Sequence, residues 1–136
     1  MADTEHNKEL VRRFWQSAPK DQPAFLTDDA VWHLPTSIGR RAFGGVADLR
    51  GDAARAIFTA GTEVYEPGGS MEVLHIVAED DLVTLHCRLH TRTRAGHDYH
   101  GSYHMLFRIE GDRIAEAWEF LDTAYLAECL AEPVAE

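Results

Sequence analysis

Apolar residues in the first half of the chain recur with the period of an α-helix. Between residues 10 and 18 they lie about 3.6 positions apart, which predicts an amphipathic helix. Thr4 or Asp3 can cap this helix. The elements predicted next are a short helix after Asp21, a short strand over residues 30–34, a mobile glycine-rich connection over residues 36–51, and a helix over residues 52–60 that Gly61 ends.

The second half of the chain alternates apolar and polar residues, which is the period of β-strands. The predicted strands span residues 71–78, 82–94, 98–110 and 113–122, and a helix or turn follows over residues 123–130. Helices followed by an antiparallel meander indicate an α+β fold, with helices on one face of a curved sheet. Because the 136 residues contain no repeat or linker, we expect a single domain over residues 1–136.

Composition narrows the range of partners. The chain carries 13 Lys and Arg against 23 Asp and Glu, and the net charge of −10 disfavours nucleic acids and anionic membranes. No apolar run reaches the ~18 residues that cross a bilayer, and the first residues do not resemble a secretion signal. Cys87 and Cys129 form neither a metal-binding spacing nor a disulfide framework. We therefore expect a cytoplasmic protein.

Histidine is unusually frequent, with eight residues, most of them on the two longest predicted strands and the turn between them. If the last turn has two residues and the preceding turn has three, Arg88, His104 and Glu119 form one row across three strands. His86 and His90 flank this row. A change of one residue in either turn would move the side chains of a strand to the other face. The row therefore depends on the turn lengths.

A histidine beside a glutamate can act as an acid–base pair. His104 would transfer the proton, and Glu119 would either orient it and raise its pKa or act as the second acid. Arg88, with His90, would hold a negatively charged oxygen or activate water. A solvated polar surface is the competing interpretation, because these residues alternate with apolar ones. The opposite face carries an apolar row that we expect to form a homodimer interface: Tyr103, Met105, Phe107, Trp118 and Phe120.

The spacing of the histidines disfavours a metal site. His86 and His90 lie four residues apart, roughly 13 Å along one strand, so they cannot share an ion directly. The same holds for His100 and His104. A site bridging His90, His104 and Glu119 is conceivable, but no recognised metal-binding spacing supports it. We therefore expect no metal and no cofactor.

Residues 25–32 (FLTDDAVW) and 103–124 (YHMLFR through GDRI to EFLDTA) resemble the nuclear transport factor 2-like superfamily. This superfamily includes ketosteroid isomerases, SnoaL-type polyketide cyclases, limonene epoxide hydrolase and scytalone dehydratase. The resemblance extends over nearly the whole chain. It implies a cone in which helices and a bent sheet enclose one deep pocket, and a dimer formed through the outer side of the sheet.

The resemblance also implies a set of site residues. His104 resembles the oxyanion acid of the isomerases and lies near the histidine of the cyclases, and Glu119 takes the place of a carboxylic acid in the cyclases and the hydrolase. Arg88 and His90 resemble the Arg-x-Asp pair of the hydrolase, with His replacing Asp. These four residues would be catalytic. The pocket would be lined by Trp32, Leu34, His86, Leu106, Ala117, Leu121 and Asp122.

Two departures from the family pattern disfavour steroid isomerisation. Leu34 falls where the isomerases keep their aspartate base, and Phe14 falls at or beside their tyrosine. We therefore predict a homodimeric SnoaL-like enzyme that performs cofactor-free isomerisation, cyclisation, hydration or dehydration on an apolar, oxygenated small molecule. The alternatives are a non-catalytic ligand-binding module and a dimerisation domain of the same fold.

Overall fold

The structure, a computed structural model, describes residues 3–131, apart from the side chains of residues 41 and 42. The helices are α1 (Thr4–Gln16), α2 (Thr36–Ala42), α3 (Asp52–Val64) and α4 (Thr123–Leu130), with a 3-10 helix over Gln22–Phe25. The strands are β1 (Leu26–His33), β2 (Asp48–Arg50), β3 (Ser70–Glu79), β4 (Leu82–Arg92), β5 (Asp98–Glu110) and β6 (Arg113–Leu121). None of the helices in this range is long and apolar enough to span a membrane.

All six strands form one curved, open sheet in the order β2-β1-β6-β5-β4-β3. β1 runs parallel to β6, and the other neighbouring strands are antiparallel. The helices α1, α3 and α4 contact the sheet. We call the face that these helices cover the inner face, and the opposite one the outer face. The predicted α+β class, with helices packed on a curved sheet, is confirmed.

The apolar stripe on α1 forms the centre of the core. The side chain of Asp3 caps the helix by accepting a hydrogen bond from the His6 N–H at 3.0 Å. Phe14 is fully buried, and its ring lies 6.2 Å from Trp32 and 5.9 Å from Phe107, measured between ring centroids. The helix is therefore held mainly by aromatic packing against β1 and β5.

The segment predicted as a mobile connection over residues 36–51 instead contains α2 and β2. Gly39 allows a close approach there, because a Cβ atom on it would lie 2.6 Å from the carbonyl oxygen of Val46. That glycine therefore marks a packed contact rather than mobility.

Gly61 does not end α3, which continues to Val64. An interior glycine costs a helix only about 1 kcal/mol, which packing can offset.

The turn between β4 and β5 lies one residue earlier than predicted. The last strand pair of the hairpin is Arg92 with Asp98, and the Thr93 N–H still donates a hydrogen bond to the His97 carbonyl at 2.8 Å. Thr93 also bridges to Tyr65, just after α3. The earlier turn shifts the register by two positions, which keeps each side chain on its face but changes its partner. The resulting pairs are His86 with His104, Arg88 with Ser102, and His90 with His100.

The two-residue turn predicted between β5 and β6 is present, but a β-bulge at Ala115 follows it. The register shift leaves Ala115 without a partner on β5, and Ala115 and the residue before it are both buried. Beyond the bulge, β6 is displaced by one residue from the predicted register, so His104 faces Phe120 and Glu119 faces Met105. The predicted row across three strands is therefore wrong: Glu119 lies on the inner face and His104 on the outer face.

Candidate active site

Glu119 projects from β6 into the apolar interior. The parallel pairing of β1 with β6 places Trp32 beside Ala117. Ala117 lies two residues before Glu119 on β6, so the two side chains share a face of the sheet. Trp32 is 2% exposed, and its Nε1–H donates a hydrogen bond to Oε1 of Glu119 at 3.2 Å. The carboxyl group is thus held in place by a buried indole.

Burial raises the pKa of Glu119 to about 7, while the hydrogen bond from Trp32 acts in the opposite direction and more weakly. The residue is nevertheless only partly buried, so a small part of its surface remains accessible. A carboxyl group with this pKa is present in both protonation states near neutral pH. It can therefore accept or donate a proton.

A cluster of three tyrosines lies on the same side of the sheet. The Tyr103 hydroxyl is 2.9 Å from the Tyr99 hydroxyl and 3.4 Å from the Tyr65 hydroxyl. Burial raises the pKa of all three, and the charge of Glu119 raises the pKa of Tyr65 and Tyr99 further. The tyrosines are therefore neutral and can donate hydrogen bonds to an oxygen atom.

Gly101 permits this arrangement of the tyrosines. It lies on β5 midway between Tyr99 and Tyr103, and all three residues are buried on the inner face. A Cβ atom on Gly101 would overlap the hydroxyl and Cζ of Tyr99. The Tyr99 ring therefore lies directly over the glycine, which lets its hydroxyl reach the hydroxyl of Tyr103.

A second indole faces this interior. Trp15 Nε1 is buried and has no hydrogen-bond partner within the described part of the chain. The thiol of Cys87, a weak acceptor, lies next to this indole. Burial raises the pKa of Cys87 to about 12, so this thiol is not a nucleophile at neutral pH.

The structure divides the predicted site residues between the two faces. The inner face, with its adjoining core, holds Trp32, Leu34, Ala117, Glu119 and Leu121. The outer face holds His86, Arg88, His90, His104 and Leu106. Asp122 caps α4 by accepting a hydrogen bond from the Tyr125 N–H at 3.0 Å. The pairing of His104 with Glu119 does not occur, because the bulge in β6 separates them.

The predicted dimer row is divided in the same way. Tyr103, Met105 and Phe107 are buried on the inner face, whereas Trp118 and Phe120 lie on the outer face. The prediction placed Tyr103 outside and missed the tyrosine cluster. The spacing Tyr-x-Gly-x-Tyr on one strand was the available signal, since residues at i, i+2 and i+4 share a face.

His33 joins three strands on the outer face. Its Nδ1 lies 2.8 Å from Asp48 on β2, and its Nε2 lies 2.6 Å from Glu116 on β6. Burial lowers the pKa of His33, but the hydrogen bonds and charges of the two carboxylates outweigh burial and raise it. Its ring also stacks on Trp118 at 5.2 Å between centroids. These contacts belong to the packing of the sheet edge.

Two small cavities in the described residues lie away from Glu119. One, of about 160 Å³, is lined by Ser37 and Ile38 of α2 and by residues of α4. The other, of about 240 Å³, is lined by residues of α1 and of two hairpin turns. Neither contains the tyrosine cluster, so the chemistry of Glu119 does not draw on them.

Comparisons with known proteins agree with this architecture. A family model for the SnoaL-like domain matches residues 8–117. A search of curated protein sequences gave no match. A candidate SnoaL-like polyketide cyclase from Jannaschia sp. CCS1 superposes with a TM-score of 0.80 at 16% identity, over 96% of this chain and 95% of that one.

Two further structures share the fold. IdmH, a candidate polyketide cyclase from Streptomyces antibioticus, gives a TM-score of 0.74 at 17% identity, over 91% of this chain and 97% of that one. TerC, co-crystallised with polyporic acid, gives a TM-score of 0.76 at 16% identity, over 92% of this chain and 98% of that one. Since the SnoaL-like model covers most of the chain, the protein belongs to the SnoaL-like domain family of the nuclear transport factor 2-like superfamily.

Proposed function

We propose that this protein is an enzyme in which Glu119 transfers protons on an apolar, oxygenated small molecule. The observation that carries the proposal is a carboxyl group with a pKa of about 7, oriented by Trp32 inside an apolar interior. Perturbed carboxyl groups of this kind are frequent at catalytic sites. The fold it shares with candidate polyketide cyclases supports a substrate with several oxygen atoms on an apolar skeleton.

In the proposed reaction, the ionised carboxylate of Glu119 removes a proton from a carbon beside a carbonyl group. The negative charge then moves to the carbonyl oxygen, where neutral tyrosine hydroxyls such as Tyr103 donate hydrogen bonds. The protonated Glu119 returns the proton to another carbon in an isomerisation, or to a departing hydroxyl group in a dehydration. In a cyclisation, the enolate carbon attacks a second carbonyl carbon, and Glu119 gives its proton to the alkoxide that this attack forms. This one sequence of steps accommodates isomerisation, cyclisation and dehydration, and hydration is the reverse of the last.

Deuterium exchange tests the proposal without a known substrate. The wild-type protein is expected to speed deuterium incorporation beside the carbonyl of at least one member of a panel of cyclic and aromatic ketones in D₂O, followed by NMR. The rate should rise with pH through about 7, as the Glu119 carboxyl ionises. Glu119→Gln should slow exchange about a hundred- to ten-thousand-fold. Glu110→Gln, which alters an exposed carboxylate on the same hairpin, should leave the rate unchanged.

The alternative of a non-catalytic ligand-binding module predicts a different result. The ketones would bind, as seen from chemical-shift changes near Trp32, but exchange would be no faster than in buffer. Equal exchange rates in the wild type and Glu119→Gln would also contradict the proposed role of Glu119.

We also propose that a second copy of the chain packs against the outer face. Three apolar side chains on this face are exposed: Val77 (62%) on the edge strand β3, Leu82 (37%) at the start of β4, and Phe120 (58%) on β6, the strand that also carries Trp118. Phe120→Glu should shift sedimentation from a dimer to a monomer at micromolar concentration. Val46→Glu, at an exposed valine outside this face, should not. A wild-type protein that sediments only as a monomer would contradict the dimer.

Both cysteines are free and buried. This supports a reducing compartment, and we place the protein in the cytoplasm on that ground.

A further inference from the structure

The proposed function leaves the histidines of the outer face without a role. Six of the eight histidines point to this face, and five of them lie on three neighbouring strands. These five are His75 on β3, His86 and His90 on β4, and His100 and His104 on β5. The spacing along one strand disfavours a shared ion, but the register places imidazoles directly opposite each other across strands.

One cross-strand pair has the geometry of a metal chelate. His90 and His100 are direct partners, and their Nδ1 atoms lie 2.8 Å apart. A metal ion with metal–nitrogen bonds of about 2.0 Å holds two ligands at right angles about 2.8 Å apart. The two nitrogens therefore stand at the separation that a square-planar or octahedral ion requires. Without metal, one ring donates its Nδ1–H to the other.

A carboxylate orients one of these rings. His90 Nε2 lies 3.5 Å from Oε1 of Glu72, which projects from β3. A histidine that binds metal through one nitrogen commonly donates its other N–H to a carboxylate, which fixes the tautomer and makes the free nitrogen a better ligand. In the part of the chain that the structure describes, the neighbouring pair of His75 and His86 has no such carboxylate contact, and its Nδ1 atoms are 3.1 Å apart.

The charges around the pair are compatible with a cation. Arg88 and Arg92 flank His90 on β4, two residues to either side. Arg92 is paired with Asp98 at 3.1 Å, and Arg88 donates a hydrogen bond to Ser102 at 3.4 Å. Glu72 supplies a negative charge next to the imidazoles, so the local field is not dominated by the two arginines.

We propose that His90 and His100 bind one divalent transition-metal ion through their Nδ1 atoms, with Glu72 as a positioning residue. Within residues 3–131, no group of three or more possible ligand side chains surrounds one point, so water completes the coordination. Two imidazoles and water favour Cu²⁺ or Ni²⁺, with Zn²⁺ weaker than Cu²⁺, over Mg²⁺ or Ca²⁺. The site is independent of the proposed catalytic role of Glu119, which lies on the other face.

The experiment is a titration of the tag-free protein with CuSO₄, followed by calorimetry and by electron paramagnetic resonance. One Cu²⁺ per chain should bind, with a spectrum showing two nitrogen ligands, and the affinity should fall as the pH is lowered because protons compete for the imidazoles. His90→Ala and His100→Ala should each remove this site. Glu72→Gln should weaken binding about 10- to 100-fold without removing it. His75→Ala and His6→Ala, at histidines outside the pair, should leave it unchanged.

Several outcomes would overturn the proposal. They are no saturable Cu²⁺ binding by the folded wild type, binding that survives in both His90→Ala and His100→Ala, or binding that is lost in His6→Ala. If an alanine variant fails to fold by circular dichroism, His100→Gln replaces it, since glutamine preserves size and polarity. The exchange assay of Glu119 does not depend on any of these results, so each proposal can fail alone.

Discussion

Replacing Glu119 with glutamine should stabilise the protein by about 3 kcal/mol at pH 8 and have little effect near pH 4. The folded state raises the pKa of this carboxyl from 4.5 to about 7. Between these two values the folded state holds a proton that the unfolded state has released. The free energy of unfolding of the wild type therefore falls as the pH rises through this range, and the loss is complete above pH 7.

Urea unfolding between pH 4 and pH 9 measures this effect. Glutamine does not ionise but can still accept the hydrogen bond from Trp32, so the decline between about pH 4.5 and 7 should shrink in Glu119→Gln. Glu110→Gln should follow the wild-type curve. If Glu119→Gln showed the wild-type decline, the carboxyl would not be desolvated in the way that the structure indicates.

The same variant is expected to lose proton transfer while gaining stability. A buried ionisable group that destabilises the fold and is retained at an otherwise apolar position is typical of a functional site. A stable, inactive Glu119→Gln would therefore connect the stability measurement to the proposed reaction.

The second large effect is expected at Phe107, for which alanine should cost about 3–5 kcal/mol. The side chain is completely buried, and its ring packs against Phe14, Trp15 and Trp32 at centroid distances of 5.9, 6.4 and 6.1 Å. Truncation removes these contacts and leaves a cavity that the surrounding rings can only partly fill. The expected decrease in the free energy of unfolding is the sum of the transfer free energy of the ring and the cost of the cavity.

Trp118→Ala provides the matched comparison. Trp118 is partly exposed on the outer face and stacks on His33, so its loss should cost the monomer only about 1 kcal/mol. Chemical denaturation of both variants at one pH measures the difference. Equal losses at the two positions would contradict the assignment of Phe107 to the inner face and Trp118 to the outer face.

Local patterns were sufficient for the order and type of most elements. The stripe of Leu10, Val11 and Phe14 predicted α1, because helical periodicity is a property of neighbouring residues. The two-residue turn before β6 was likewise predicted from its own residues. α2 and β2 were missed, because β2 is only three residues long and is held by pairing with β1, a contact distant in sequence.

The register of the strands could not be obtained from local patterns. Thr93, which follows β4, bridges to Tyr65 after α3, and the bulge at Ala115 lies where two successive residues are buried. Both features involve contacts between residues that are distant in sequence. A bulge of one residue is enough to exchange the faces of a strand, since side chains alternate with a period of two.

The sequence by itself determined the fold class and the family resemblance. It also indicated Glu119 as a candidate catalytic residue, but as the partner of His104. Only the tertiary structure decided which residues surround this carboxyl group. It placed Trp32 and the tyrosines on the same face as Glu119 and moved His104 to the outer face. The physical reason is that hydrophobic patterns specify which side chains are buried, whereas bulges and turn contacts set the register of the strands. The register decides which side chains become neighbours on one face.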